Sequence, residues 1–224
     1  PVRDFLADTY VIMCTRDGTV KKTALDEFSN PRASGIIAIN VGGTDALLSA
    51  KITNGTQEVI IATAEGMAIR FKESDVRPMG RYAAGVRGAT LEDGDRVIGM
   101  TACDPGASIL TVSENGYGKR TEIERYRLIR RGGKGVITLK ATEKTGKVVA
   151  ILLVTDEHDI MLITDGGKLI RCGADEIRKA GRNTQGVRLI RTESGEKVVG
   201  VAMLAEDDEE GTDADDTAGD APAQ

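Results

Sequence analysis

Tryptophan is absent from this 224-residue sequence; histidine occurs once, and cysteine, phenylalanine and tyrosine three, three and four times. So few rings require an aliphatic core and leave little to stack unpaired bases on, which argues against a single-strand binder. Cys14, Cys103 and Cys172 are far apart and contain no CxxC pair, and only His158 could join them around a metal. They read as small core or strand residues of a reducing compartment, neither a disulfide framework nor a zinc site. No apolar run approaches the roughly 18 to 20 residues of a membrane span, and the N-terminus lacks a basic-then-apolar leader. The expectation is a soluble, intracellular chain with no membrane partner; its start at Pro1 reads as a piece of something longer. His158 stands alone in the acidic stretch TDEHD, so no catalytic set and no metal site is expected. The sequon Asn54-Gly55-Thr56 reads as a turn.

Glycine, by contrast, is plentiful at 27 residues, and charge is unevenly laid out. The formal net charge is −5, yet nine acidic residues and no Lys or Arg fall within 205–224. With those nine set aside, 26 acidic residues face 30 basic ones, so a mildly basic body precedes an acidic tail expected to be disordered over 206–224.

Internal similarity organises the body. An apolar run, a hydroxyl residue, two polar residues and a glycine recur as VIMCTRDG, VIIATAEG, SILTVSENG and IMLITDGG. The glycines are Gly18, Gly66, Gly116 and Gly167, spaced 48, 50 and 51 apart, and a second set, Gly35, Gly85, Gly135 and Gly186, is spaced 50, 50 and 51. Around them each repeat has four short runs rich in Val, Ile and Thr, bounded by turn residues, which read as four strands per repeat. Four strands, radially repeated, predict an all-β propeller of about four four-stranded blades, each stacked on its neighbour. The expected boundaries are a leader at 1–9 and blades at 10–56, 57–106, 107–157 and 158–205. The first glycine of each repeat sits between two strands, where a tight hairpin demands positive φ. Short helical pieces are expected near Leu25 and Glu176.

The cations then suggest chemistry. Residues 116–135, GYGKRTEIERYRLIRRGGKG, hold Lys119, Arg120, Arg125, Arg127, Arg130, Arg131 and Lys134 against Glu122 and Glu124. The segment RRGGKG, Arg130, Arg131, Gly132, Gly133, Lys134 and Gly135, joins cations that neutralise phosphates to glycines whose N–H groups could approach one. It is no nucleotide-binding P-loop, because glycine rather than Ser or Thr follows the lysine. Sparser cations stand in the corresponding loops: Arg32; Arg77, Arg81 and Arg87; Arg178, Lys179, Arg182 and Arg188. A curved basic rim of this kind suits duplex DNA, whose smooth bending over 20 to 30 base pairs costs about 1 to 6 kcal/mol and must be offset by many phosphate contacts. Lys119, Arg120, Arg127, Arg81, Arg87 and Arg182 join the RRGGKG residues as expected DNA contacts.

DGTVKKTALDEF, MAIRFKESDVRPMG, SENGYGKRTEIERY, RRGGKGVITLKATEKTGK and GRNTQGVRLIRT occur in order, and through them residues 1 to about 205 resemble the family of DNA gyrase A C-terminal domains. RRGGKG looks like the gyrase A box, with Ile129 where its leading glutamine is expected. The resemblance implies a β-pinwheel whose blades exchange strands, wrapping DNA with a positive crossing within an A2B2 holoenzyme of gyrase A and gyrase B. That type II topoisomerase drives negative supercoiling with ATP; the ATP and magnesium sites and the active-site tyrosine belong to other parts, and no cofactor is expected in this chain. The family usually has six blades with its box in the first, whereas four repeats are seen here and the box-like stretch is in the third. Two alternatives stay open: the equivalent domain of topoisomerase IV, and a protein-binding propeller of the chromosome-condensation-regulator type.

Overall fold

A computed structural model describes residues 2–204. The expectation of a disordered acidic tail falls outside the described residues. Fifteen strands account for nearly all regular structure. The first repeat supplies β1 (Tyr10–Thr15), β2 (Thr19–Ala24) and β3 (Leu47–Thr53). The second supplies β4 (Glu58–Thr63), β5 (Met67–Lys72), β6 (Val86–Arg87) and β7 (Val97–Cys103). From the third come β8 (Ser108–Ser113), β9 (Tyr117–Glu122), β10 (Val136–Ile137) and β11 (Val148–Val154). The fourth gives β12 (Asp159–Thr164), β13 (Leu169–Gly173), β14 (Val187–Arg188) and β15 (Val198–Met203).

These strands form four antiparallel sheets, ordered β3-β1-β2-β6, β7-β4-β5-β10, β11-β8-β9-β14 and β15-β12-β13. The innermost strands β3, β7, β11 and β15 adjoin one another in sequence and make the hub. The outermost strand of each of the first three sheets is donated by the next repeat: Val86 pairs with Val20, Val136 with Ala68 and Val187 with Gly118. Strand exchange of the pinwheel kind is therefore present, and a sequence repeat is not the same thing as a blade. The four sheets stand where about four blades are expected, three of them with four strands and the last with three. The fourth sheet has three strands, because no later repeat within the described residues pairs with the free edge of β13. Likewise the first repeat's IIAI, at 36–39, forms no strand, and no preceding sheet is present among the described residues for it to join.

The hairpins behave as their composition demands. Gly18, Gly66, Gly116 and Gly167 all have φ between +78° and +88°, a conformation that strains residues bearing a Cβ. The repeated hydroxyl closes the turn: Thr15, Thr63 and Thr164 accept the N–H of the residue four positions on. The core lies between consecutive sheets. Along β4, Val59 and Ile61 pack toward the first blade with Ile12, Cys14 and Val20, while Ile60 and Ala62 face the third with Ile109 and Tyr126. Leu110 and Val112 then face Ile160 and Leu162 of the fourth. Strands buried on both faces carry continuous aliphatic runs rather than alternation, which is why β4 reads VIIA. The piece near Leu25 is a 3₁₀ turn, Leu25–Phe28, matched at Glu73–Asp75 and Ile123–Arg125; at Glu176 there is only a turn.

Candidate nucleic-acid interface

The basic residues divide into three groups that composition does not distinguish. The first group points inward. Lys119 is fully buried, and its Nζ donates to the carbonyls of Gly181 (2.5 Å), Arg182 and Thr184 (3.2 Å) and to Thr184 Oγ1 (2.9 Å). Burial and the nearby Arg182 pull its pKa down to about 8. Arg120, also buried, donates through Nε to the Ile177 carbonyl at 2.8 Å and through its Nη atoms to Asp156 and the Asp175 carbonyl. In the same register Arg70 holds the Ile123 and Tyr126 carbonyls, and Lys22 reaches the Glu73 carbonyl at 3.3 Å. Each of these side chains secures the loop of the next repeat. Lys119 and Arg120, expected as DNA contacts, are thus placed facing inward: both come from β9, which is sandwiched between blades, and their donors engage carbonyls, the Thr184 hydroxyl and the Asp156 carboxylate.

The second group holds adjacent blades at the outer edge. Arg81, Arg131 and Arg182 are half-buried, and each donates to backbone carbonyls of the preceding repeat. The glycines of RRGGKG belong to this seam as well. The Gly132 N–H donates to the Gly88 carbonyl at 2.6 Å, and the Gly133 carbonyl accepts from Thr90 N–H at 3.0 Å. Gly135 has φ +81°, and a Cβ there would lie 2.2 Å from the Ala68 carbonyl oxygen. Gly135 thus allows close approach of one blade's backbone to another, and the Gly132 N–H is not free to meet a phosphate, contrary to the expectation for this loop.

The third group faces solvent. Arg77, Arg127 and Arg178 are exposed and each stands eight residues before its repeat's second glycine. The residue after each, Pro78, Leu128 or Lys179, bridges to Lys22, Arg70 or Arg120 of the preceding repeat, so the three arginines share one position on successive blades. Arg130, three residues past Arg127, is exposed too, and neither it nor the row has an acidic partner among the described residues. Lys134 is exposed and pairs with Glu92 at 2.5 Å. Arg87 and Arg188 are exposed on the exchanged strands, Arg188 donating to the Tyr117 hydroxyl at 2.8 Å. Arg77 and Arg178 carried less weight in the sequence than the RRGGKG cluster. Their common offset from the second glycine is the signal that finds them.

A family model described as DNA gyrase C-terminal domain, beta-propeller, matches residues 9–54, 57–104, 107–155 and 158–205. This chain belongs to that family. Among sequence relatives, the DNA gyrase A protein of Salmonella typhimurium is 49% identical over 212 residues, 94% of this chain and 24% of that protein. Its Escherichia coli K12 counterpart is 47% identical over 214 residues, 95% of this chain and again 24% of that protein. The chain therefore spans about a quarter of the length of these relatives. A solved gyrase A C-terminal domain superposes with TM-score 0.81 at 27% identity, covering 91% of this chain and 68% of that one. A topoisomerase IV C-terminal domain superposes with TM-score 0.85 at 26% identity, covering 91% and 64%. The gyrase C-terminal fold is thus shared with the topoisomerase IV domain, while the sequence relatives at nearly twice that identity are gyrase A proteins.

Proposed function

We propose that this chain is the DNA-wrapping part of a gyrase A protein, gripping duplex DNA by its phosphates along the outer edge of consecutive blades. One observation carries the reading: Arg77, Arg127 and Arg178 occupy the same exposed position on three successive blades. Cations repeated around a curved edge meet phosphates repeated along a curved duplex, and each such pairing releases counterions and so offsets part of the bending cost. Such an edge positions DNA without reading bases. Arg87 and Arg188, exposed on the exchanged strands, and Lys134 extend the same surface. In the parent protein the wrap would present a second DNA segment to an A2B2 assembly with gyrase B in the cytoplasm, where ATP and magnesium, bound elsewhere, drive negative supercoiling.

The test is duplex binding as a function of salt. Replacing Arg77, Arg127 and Arg178 together by Ala should weaken binding equally on unrelated sequences. The slope of log K against log salt should become shallower by about 2.5 to 3, at roughly 0.9 for each phosphate no longer neutralised. An unchanged slope, or weakening confined to particular sequences, would refute the phosphate-grip reading.

A further inference from the structure

RRGGKG contains two adjacent arginines with opposite fates: Arg130 is exposed, and Arg131 is turned into the seam between repeats. The second of them recurs. Arg81, Arg131 and Arg182 each stand four residues before the second glycine of their repeat, and their Nη1 atoms donate to the carbonyls of Ile37, Arg87 and Ile137 at 3.2, 3.0 and 3.0 Å. Those three acceptors are themselves equivalent, each two residues past the second glycine of the preceding repeat. Arg131 and Arg182 add a second bond, from Nε to the carbonyls of Asp75 (2.9 Å) and Arg125 (2.5 Å), the last residues of the preceding repeat's 3₁₀ turn. Beside every strap runs one more repeated bond. The N–H of Asn40, Thr90 and Lys140 donates to the carbonyl of Ala83, Gly133 and Thr184, at 3.4, 3.0 and 3.0 Å.

We propose that Arg81, Arg131 and Arg182 are positioning residues that fix the angle between neighbouring blades at the outer edge, and so set the path of the wrapped DNA rather than the strength of its grip. The inference rests on the wrapping reading above. Its physical basis is the planar guanidinium, whose Nε and Nη1 in Arg131 and Arg182 reach two separate carbonyls along fixed directions, while Arg81 makes the Nη1 bond alone. A lysine keeps the charge but offers a single donor atom, which suits carbonyls gathered around one point, as at Lys119, and not two spaced apart. The hub strands fix where the blades meet, but the outer edge is the far end of each sheet. A small change of angle at the hub moves the DNA-facing arginines most, and the strap sits where it resists that movement best.

The charge-conserving triple variant Arg81→Lys, Arg131→Lys, Arg182→Lys separates the roles, because a phosphate interaction survives exchange of one cation for another, whereas the directed guanidinium-to-carbonyl bonds, two each at Arg131 and Arg182 and one at Arg81, do not. Two readouts are taken on the same protein: the linking difference left in relaxed circles ligated with it bound, per bound molecule, and hydrogen exchange without DNA. The linking difference should fall by at least half while the salt slope of binding stays within about 0.5 of the parent. The amides of Thr90 and Lys140 should exchange at least tenfold faster, with those of the β8–β9 hairpin protected as before, which shows that the blades remain folded. Parental linking and parental exchange in the variant would overturn the strap. Should the parent itself leave no linking difference, the wrapping reading fails, and the exchange rates alone decide whether the arginines hold the blades.

Discussion

Lys119 and Arg127 lie eight residues apart in one basic segment, yet one is fully buried and the other exposed. Nothing local to the sequence separates them. Along β9 the usual alternation fails because both faces of that strand are covered by neighbouring blades, so a lysine can be interior when a loop of carbonyls waits for it. The consequence can be measured by proton-nitrogen NMR of the lysine side chains, in which the Lys119 amine should titrate near pH 8 rather than with the ordinary lysines near 10.5. The sign for stability follows from linkage. Between about 8 and 10.5 the unfolded chain holds a proton that the folded chain has released, so this site makes stability rise with pH across that window. Lys119→Met should abolish that rise in denaturant titrations while other pH dependence persists; a Lys119 that titrates with the bulk lysines would show that its carbonyl cage does not desolvate it.

At the scale of elements, the paired glycine series made the repeat, the hairpins and the four-sheet architecture legible, because positive φ is a demand few residues meet. Less legible was the exchange of strands. β6, β10 and β14 are two residues long, and only the partner across the sheet says that they belong to the preceding blade. Runs such as VITL look like any other strand of their own repeat. The second glycine marks the crossing: Gly85, Gly135 and Gly186 each bring backbone against the preceding sheet, whereas Gly35, before which no sheet lies among the described residues, has nothing within 4 Å. Gly135→Ala should therefore be destabilising by at least ~2 kcal/mol, from positive φ and a clash with backbone that cannot swing aside. Gly35→Ala should cost about 1 kcal/mol, the φ term alone. Urea unfolding of the two variants compares them directly, and equal costs would mean that the crossing is not tight.

For the molecule as a whole, the separation of cations into buried anchors, blade straps and exposed arginines decides what the outer edge can do. Composition showed that a basic body exists, but not which of its charges are available, since guanidinium groups satisfy carbonyls as readily as phosphates. The nine acidic residues of 205–224 add a charge of the opposite sign in the same chain. Truncation before Glu206 should tighten duplex binding at low salt, with the gain shrinking as salt screens it; identical affinities at low ionic strength would make that segment electrostatically irrelevant to binding. Stacked blades with a repeated exposed arginine predict curvature in the bound DNA, which simple adhesion to a basic patch does not produce. Ligating nicked circles with this chain bound, then removing it, reads curvature as a signed topological change. A linking difference of one sign, positive for the expected crossing and proportional to the protein bound, is the predicted result. Circles whose linking matches the protein-free control, at saturating and salt-sensitive binding, would contradict the account.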